Sequence, residues 1–265
     1  MAEGTGSDAT QQRDSVAVVI VTYNRAEVLV GCLDGLAIQT SPPDAVFVVD
    51  NASGDHTAEV LQGRTDLPLR IVRTEQNLGG AGGFHLGVGL AYDAGFDRIW
   101  LMDDDVVPAP SCLQVLLDHH GPALMAVRED TAGRLVEKAA LSFDLANPFA
   151  IRPKRASVDD RWHLRSEMPA EVVLENVAFE GFMVHRRVID AIGLPTRRTS
   201  SSTTTATSRS APGGPASRWS GCGTRCWSAS STSTSSTRST RGRGSTCTGT
   251  CSRSTSGTAR TCWSG

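Results

Sequence analysis

The sequence predicts an α/β fold, a Rossmann-like, doubly wound sheet with mainly parallel strands. Two observations lead there. Short apolar runs alternate along the chain with stretches of helical spacing, the pattern that builds parallel sheets with crossover helices. Within each run the apolar residues are consecutive rather than alternate, as in strands covered on both faces. A third observation concerns chemistry: the ends of these runs carry the polar residues Thr22, Asp50 and Asp103.

The first run, Val16–Val21, is a strand that ends in the polar loop Thr22-Tyr23-Asn24-Arg25. Ala26–Ile38 follows with Val28, Leu29, Cys32, Leu33 and Leu36 on one helical face. Pro42-Pro43 stops it. Ala45–Val49 is the second strand and ends in Asp50-Asn51; a turn over 53–57 leads to a helix beginning at Thr57–Gln62. Leu69–Arg73 is the third strand. Asn77–Gly83 is read as a glycine-rich loop opening a helix over Phe84–Gly95. Arg98–Met102 is the fourth strand, closed by Asp103-Asp104-Asp105, with a helix near Pro110–His119.

Composition divides the chain after Pro195. Thr196–Gly265 contains only Ser, Thr, Arg, Gly, Cys, Ala, Pro and Trp, with Ser and Thr making up roughly half. Ten of the 26 basic residues lie there and none of the 28 acids, so a basic tail follows an acidic body. Such a segment has too little apolar surface to offset its ordering entropy, and no core is expected from it. The expected organisation is a flexible arm over 1–14, one domain over 15–195 and a disordered low-complexity tail over 196–265. Cys222, Cys226, Cys247, Cys251 and Cys262 match no zinc spacing and have no His beside them. The body holds only Cys32 and Cys112, which suits a reducing cytosol.

A linker would not carry Trp219, Trp227 and Trp263. Out-of-frame reading of GC-rich DNA gives this composition readily. If each tail codon joins two bases of a true codon to the first base of the next, Ser conceals Phe, Leu, Ile or Val. Thr then conceals Tyr, His, Asn or Asp. Ser200–Ser208 decodes to three apolar residues, three of the Tyr/His/Asn/Asp set, one small residue, another of that set and another apolar one. That reads as a strand ending in carboxylates.

Three adjacent carboxylates cannot be buried unpaired in a sheet interior. They belong at the edge where the strand emerges, which is where open α/β sheets bind ligands. Thr22, Asn24, Asp50, Asn51, the glycine segment and the aspartates would share that edge. Amides and Asp50 suit a base or ribose. A helix N-terminus favours phosphate, and Asp-x-Asp suits Mg²⁺ or Mn²⁺ beside a diphosphate. The glycines fit neither a Walker nor a Rossmann dinucleotide spacing, and taken singly these features are also compatible with caps, turns and close packing.

Val19–Arg25, Val48–Asp55, Asn77–Gly83 and Asp103–Asp105 together resemble the ordered motifs of family-2 glycosyltransferases with the GT-A fold. The resemblance covers roughly residues 16–195 and leans toward galactofuranosyltransferase- and rhamnosyltransferase-like members. Phe179–Arg187 and Ile192–Pro195 resemble the acceptor-side segment. It implies an inverting transfer of galactofuranose or rhamnose from a UDP- or dTDP-linked donor to a glycan or lipid-linked acceptor in cell-envelope synthesis. Thr22, Asn24, Arg25, Asp50 and Asn51 would hold the nucleoside. Asn77, Gly79, Gly80 and Gly83 would line the donor pocket. Asp103 and Asp105 would hold a divalent metal, Mn²⁺ or Mg²⁺, and Asp104 would face the donor sugar.

The general base of the family follows the Gly-Leu-Pro equivalent. Here Gly193-Leu194-Pro195 leads into a tail without Asp, so the GT-A fold would be truncated in its C-terminal part and catalysis impaired. A cytoplasmic location is expected, with peripheral contact at the inner face of the plasma membrane and no nucleic-acid partner. The alternatives are a non-catalytic sugar-nucleotide-binding module and a nucleotidyltransferase.

Overall fold

The computed structural model describes residues 13–143, 154–197 and 219–229. The first half runs β1 (Val16–Thr22), α1 (Ala26–Ala37), β2 (Ala45–Asp50), α2 (Thr57–Gln62), β3 (Leu69–Arg73), α3 (Gly79–Asp93) and β4 (Arg98–Asp103). Then come β5 (Val106–Pro108), α4 (Cys112–Asp118), β6 (Ala123–Asp130), β7 (Ala140–Phe143), β8 (Lys154–Ser157), α5 (Val158–Arg161) and β9 (Glu171–Leu174). The chain closes with β10 (Phe182–His185), α6 (Arg186–Ile192) and β11 (Trp219–Ala229).

The main sheet has the order β3-β2-β1-β4-β10-β6-β11-β5, with β9 paired to β11. Its first four strands are parallel. β10 runs antiparallel to both β4 and β6, so the start of β10 lies where β4 and β6 end. β7 and β8 form a separate antiparallel pair.

Burial explains the consecutive apolar runs. Val16, Val18 and Ile20 face α1 and α4 in one core layer, together with Trp100 and Met102. Ala17 and Val19 face Phe84, Val88 and Ala91 of α3 in the other layer, with Ile99 and Leu101. With both faces covered, each large aliphatic side chain contributes about 1.5–3 kcal/mol by leaving water. α1 begins where the Asp55 carboxylate accepts the Ala26 N–H (3.0 Å), and its buried face includes the expected Leu29, Cys32, Leu33 and Leu36.

Three expectations need correction. The glycine segment is not a loop before the helix: Gly79 to Gly83 are the first residues of α3. The helix lies so close to the sheet that a Cβ on Gly83 would stand 2.5 Å from Val21, and one on Gly87 2.4 Å from Val19. Packing, not intrinsic propensity, keeps these glycines helical. The arm expected over 1–14 ends earlier, because Arg13 donates to Ser41 Oγ (2.7 Å) and Asp44 Oδ1 (2.8 Å) and Asp14 accepts from Arg98 (2.6 Å). The tail, from which no core was expected, supplies one strand: β11 pairs with β6, β9 and β5. A ladder needs only backbone donors and acceptors, and β11 meets β6 with two register shifts. Ser200–Ser208 lies outside the described residues.

Candidate active site

The parallel register brings the strand ends to one rim. Thr22 of β1 stands beside Asp50 of β2, Val21 beside Asp103 of β4, and Asp50 beside Arg73 of β3. Asp103, Asp104 and Asp105 turn the chain out of β4 at the centre of this rim.

Asp104 does not face outward toward a ligand, as expected of it. It is buried, with Oδ2 accepting from Thr22 Oγ1 (2.7 Å) and Oδ1 from Arg25 Nη1 (2.8 Å). Burial raises its pKa, while Thr22 and Arg25 oppose the rise. The second Arg25 nitrogen reaches Asp105 Oδ2 (2.9 Å). Burial works against the Arg25 charge, but Asp104 and then Asp105 hold its pKa above the ordinary value. Thus Thr22 and Arg25 shape the acid cluster, and Arg25 keeps 45% of its side-chain surface exposed. Asp103 has neither bond: burial, then Asp105 and Asp104, push its carboxyl up to about 7, with Arg128 and Arg25 only partly opposing. Behind it, burial pushes the Cys32 thiol up as well.

On the β2 side, Asp50 is buried and its Oδ1 accepts the Ser53 N–H (2.8 Å), while Arg73 lies 3.4 Å from Oδ2. Arg73 also donates to the Ser53 carbonyl (2.6 Å). Asn24 adopts a left-handed φ of 54° and ties this loop down by accepting from Gly54 (2.7 Å). The Asn51 amide is buried under α3, with Nδ2 donating to the Gly79 carbonyl (3.2 Å), while Oδ1 has no hydrogen-bond partner among the described residues. Asn77 accepts the Gly79 N–H (2.7 Å). Gly79 takes φ +70° with nothing within 4 Å of the side chain it lacks. Gly80 is exposed and Gly83 packs inward.

All twelve residues singled out in the sequence therefore belong to this rim or to the first turns behind it. They include exposed groups (Asn24, Asn77, Gly79, Gly80), the buried Thr22, Asp50, Asn51 and Gly83, and the cluster of Arg25 with Asp103, Asp104 and Asp105. Sequence reasoning missed Arg73, which occupies the last position of β3, in phase with the other strand ends. It also missed Arg128 and Glu137, which lie in a region where no elements were assigned; Glu180 falls in the Phe179–Arg187 segment that was singled out by resemblance alone.

The acid cluster fits a divalent cation. Asp103 and Asp105 carry more negative charge than the single half-exposed Arg25 offsets, and Mg²⁺-type ions need only one or two carboxylates when substrate phosphates complete the shell. Among the described residues no group of three or more metal-ligating side chains is assembled.

Residues 17–123 match the family model of glycosyl transferase family 2. The chain carries a glycosyl transferase family 2 domain. Over 186 residues it is 32% identical to the galactofuranosyltransferase GlfT1 of Mycolicibacterium smegmatis, covering 69% of this chain and 60% of that protein. Against GlfT1 of Mycobacterium tuberculosis it is 33% identical over 189 residues, covering 70% and 60%. The chain thus spans about 60% of the length of these relatives. Among solved structures, S. aureus TarS 1-349 in complex with UDP superposes with a TM-score of 0.54 at 17% identity, over 81% of this chain and 60% of that one. The same protein with UDP-GlcNAc gives 0.53 at 18%, over 81% and 58%. At that identity the likeness is one of fold, and the fold is GT-A.

Proposed function

We propose that this glycosyl transferase family 2 chain belongs to an inverting transferase acting in cell-envelope glycan synthesis. Its donor is a nucleotide sugar, UDP-galactofuranose before dTDP-rhamnose, and its acceptor a glycan or lipid-linked glycan reached at the inner face of the plasma membrane. One observation carries this reading: side chains from four separate strands meet at a single rim, with amides and Asp50 on one side and the acid cluster at the centre. The named activity of the GlfT1 relatives supports the sugar, and the UDP complex of TarS supports the nucleotide.

Asn24, Arg25, Asp50 and Asn51 hold the nucleoside, while Asn77, Gly79 and Gly80 offer backbone close to the donor. Asp103 and Asp105 would hold a divalent cation, which when bound supplies Lewis-acid stabilisation of the departing diphosphate. Thr22 holds Asp104, which in turn holds Arg25 in place for the nucleoside. Inversion requires the acceptor hydroxyl to attack opposite the diphosphate and to lose its proton to a base.

The base belongs to the segment replaced after Pro195. We read 196–265 as an out-of-frame translation, and losing general-base catalysis slows transfer by about 10²–10⁴-fold. The tail's lack of Asp favours, as a second reading, donor binding without turnover in this chain. Titration of the full chain with UDP plus Mn²⁺ tests the donor site: binding is expected and should vanish in Asp103→Ala. Absence of UDP binding refutes the reading. Sequencing the gene around codon 196 tests the frame: a single-base change that restores an Asp-containing segment is expected, and a gene with no such change rejects it.

A further inference from the structure

α3 touches the chain on a side that the sheet does not cover. His85, Gly89 and Tyr92, spaced four and three residues apart, form one stripe along the helix, and each meets the chain that leaves β10. The Tyr92 hydroxyl donates to Asp190 Oδ1 of α6 (2.6 Å), with the Arg186 guanidinium over its ring (5.0 Å to the centroid). Leu194 lies against Gly89, where an added Cβ would stand 3.6 Å from its Cδ1. His85 Nδ1 is 2.6 Å from the Pro195 carbonyl oxygen. A carbonyl only accepts, so Nδ1 carries the proton. Proline has no N–H, and His85 takes the one hydrogen-bonding group that the Pro195 backbone offers.

The order of these contacts gives a direction. From Asp190 to Pro195 the partners on α3 run back from Tyr92 to His85, so the chain climbs antiparallel to the helix toward its first turn. Gly193 starts the climb. Its N–H donates to the Ile189 carbonyl (2.8 Å), closing α6, and its φ of +80° turns the chain out of the helix. His85 stands six residues beyond Gly79, about 9 Å along the axis at about 1.5 Å per residue. The same helix thus begins at the donor rim, with Gly79 and Gly80, and holds Pro195 less than two turns later.

Between these two points α3 is intrinsically weak. Gly79, Gly80, Gly82 and Gly83 fall in its first five residues, and only proline is a poorer helix former than glycine. A ligand that contacts the first turn therefore orders a segment that its own sequence holds loosely. We propose that His85 is the positioning residue that passes this order on: a donor bound at Asn77, Gly79 and Gly80 firms the start of α3, and His85 then fixes Pro195 and the path of the chain leaving α6. Pro195 directly precedes the segment to which the base belongs, which makes this a positioning role in transfer. It rests on the donor-site reading given above.

The test uses the full chain, UDP with Mn²⁺, and amide exchange read over residues 193–197, with β1 and β4 as controls. In wild type, saturating UDP should slow exchange at 193–197 about 10-fold. In His85→Phe, which keeps a ring and removes the N–H, that protection should be lost. UDP should then bind more weakly by a factor no larger than the protection lost, because coupling between two sites is reciprocal. His85→Asn, whose side-chain N–H can occupy the place of Nδ1–H, should restore both. If UDP binds but leaves 193–197 unchanged in wild type, or protects them equally in His85→Phe, the proposal is overturned and the donor reading stands. If His85→Asn behaves as His85→Phe, the ring packs rather than positions, and the proposal is rejected. Faster exchange across β1 and β4 in His85→Phe assigns His85 to the core and rejects it too. If wild type binds no UDP, the donor reading itself fails and the coupling falls with it.

Discussion

At the edge where β1, β2 and β4 begin, each charged side chain has a hydrogen-bonded partner. Arg98, almost wholly buried, is held by Asp14 (2.6 Å) and the Gly121 carbonyl (3.0 Å). Asp97 accepts both the N–H and the hydroxyl of Ser15 (2.9 and 2.6 Å). Asp44 accepts the Val16 N–H (2.7 Å) and pairs with Arg13. At the opposite edge, one half-exposed arginine bonds two of three consecutive aspartates, Asp104 and Asp105, and leaves Asp103 without such a bond. The same strands thus end in a structural edge and in a charge-frustrated one. A protein keeps an imbalance like the second where a ligand supplies the missing charge.

Four measurements sharpen or break this contrast. The largest effect is expected at the frustrated edge: Asp103→Ala should abolish metal-dependent binding of UDP-sugars. In a frame-restored chain it should cut transfer by about 10³-fold, a loss of about 4 kcal/mol, with little change in melting temperature. Equal activity in the variant would erase the distinction between the edges. Next, Arg98→Ala at the matched edge should lower stability by about 3 kcal/mol, since it strands groups that were paired in a buried setting. UDP affinity per folded molecule should stay unchanged. Denaturant titration alongside UDP titration separates the two outcomes. Third, Gly87→Ala should cost about 1–3 kcal/mol by forcing α3 off the sheet, whereas Gly79→Ala should cost about 1 kcal/mol through its left-handed backbone alone.

The smallest effect is pH-dependent. The Ser15 hydroxyl and then its N–H hold the Asp97 carboxyl below the usual carboxylate range. A depressed pKa means that this contribution is complete above the unfolded value, about 4. It is lost as pH falls through the lower folded value. Asp97→Asn should therefore narrow its stability deficit against wild type below about pH 4, with no such convergence between pH 5 and 8. Acid unfolding curves of the two proteins would show it.

Much of this was legible along the chain. The strands β1 to β4, the face of α1 and the placement of the aspartates at a strand exit follow from local rules. Consecutive apolar residues need two covered faces, and adjacent carboxylates need water or a cation. What local rules miss is equally specific. Gly79–Gly83 reads as a loop because glycine is a poor helix former, yet the close approach of Val21 at Gly83, and of Val19 at Gly87, makes glycine the residue that lets α3 seat. Asp104 reads as a ligand group, yet Thr22 and Arg25 turn it inward. β11 has no apolar pattern, yet its backbone pairs with β5, β6 and β9.

Local patterns along the chain set the alternation of strands and helices, and with it the rim that collects Thr22, Asp50 and Asp103, because strand periodicity and the cost of burying charge act over a few residues. Which carboxylates stay uncompensated and which are braced depends on contacts made across the folded sheet. Arg128 meets Glu137 nine residues on, and Glu180 comes from a distant turn; Arg25 meets Asp104 and Asp105 across about eighty residues. Pairing over such separations is set by how the sheet is ordered, a property that no short stretch of chain contains.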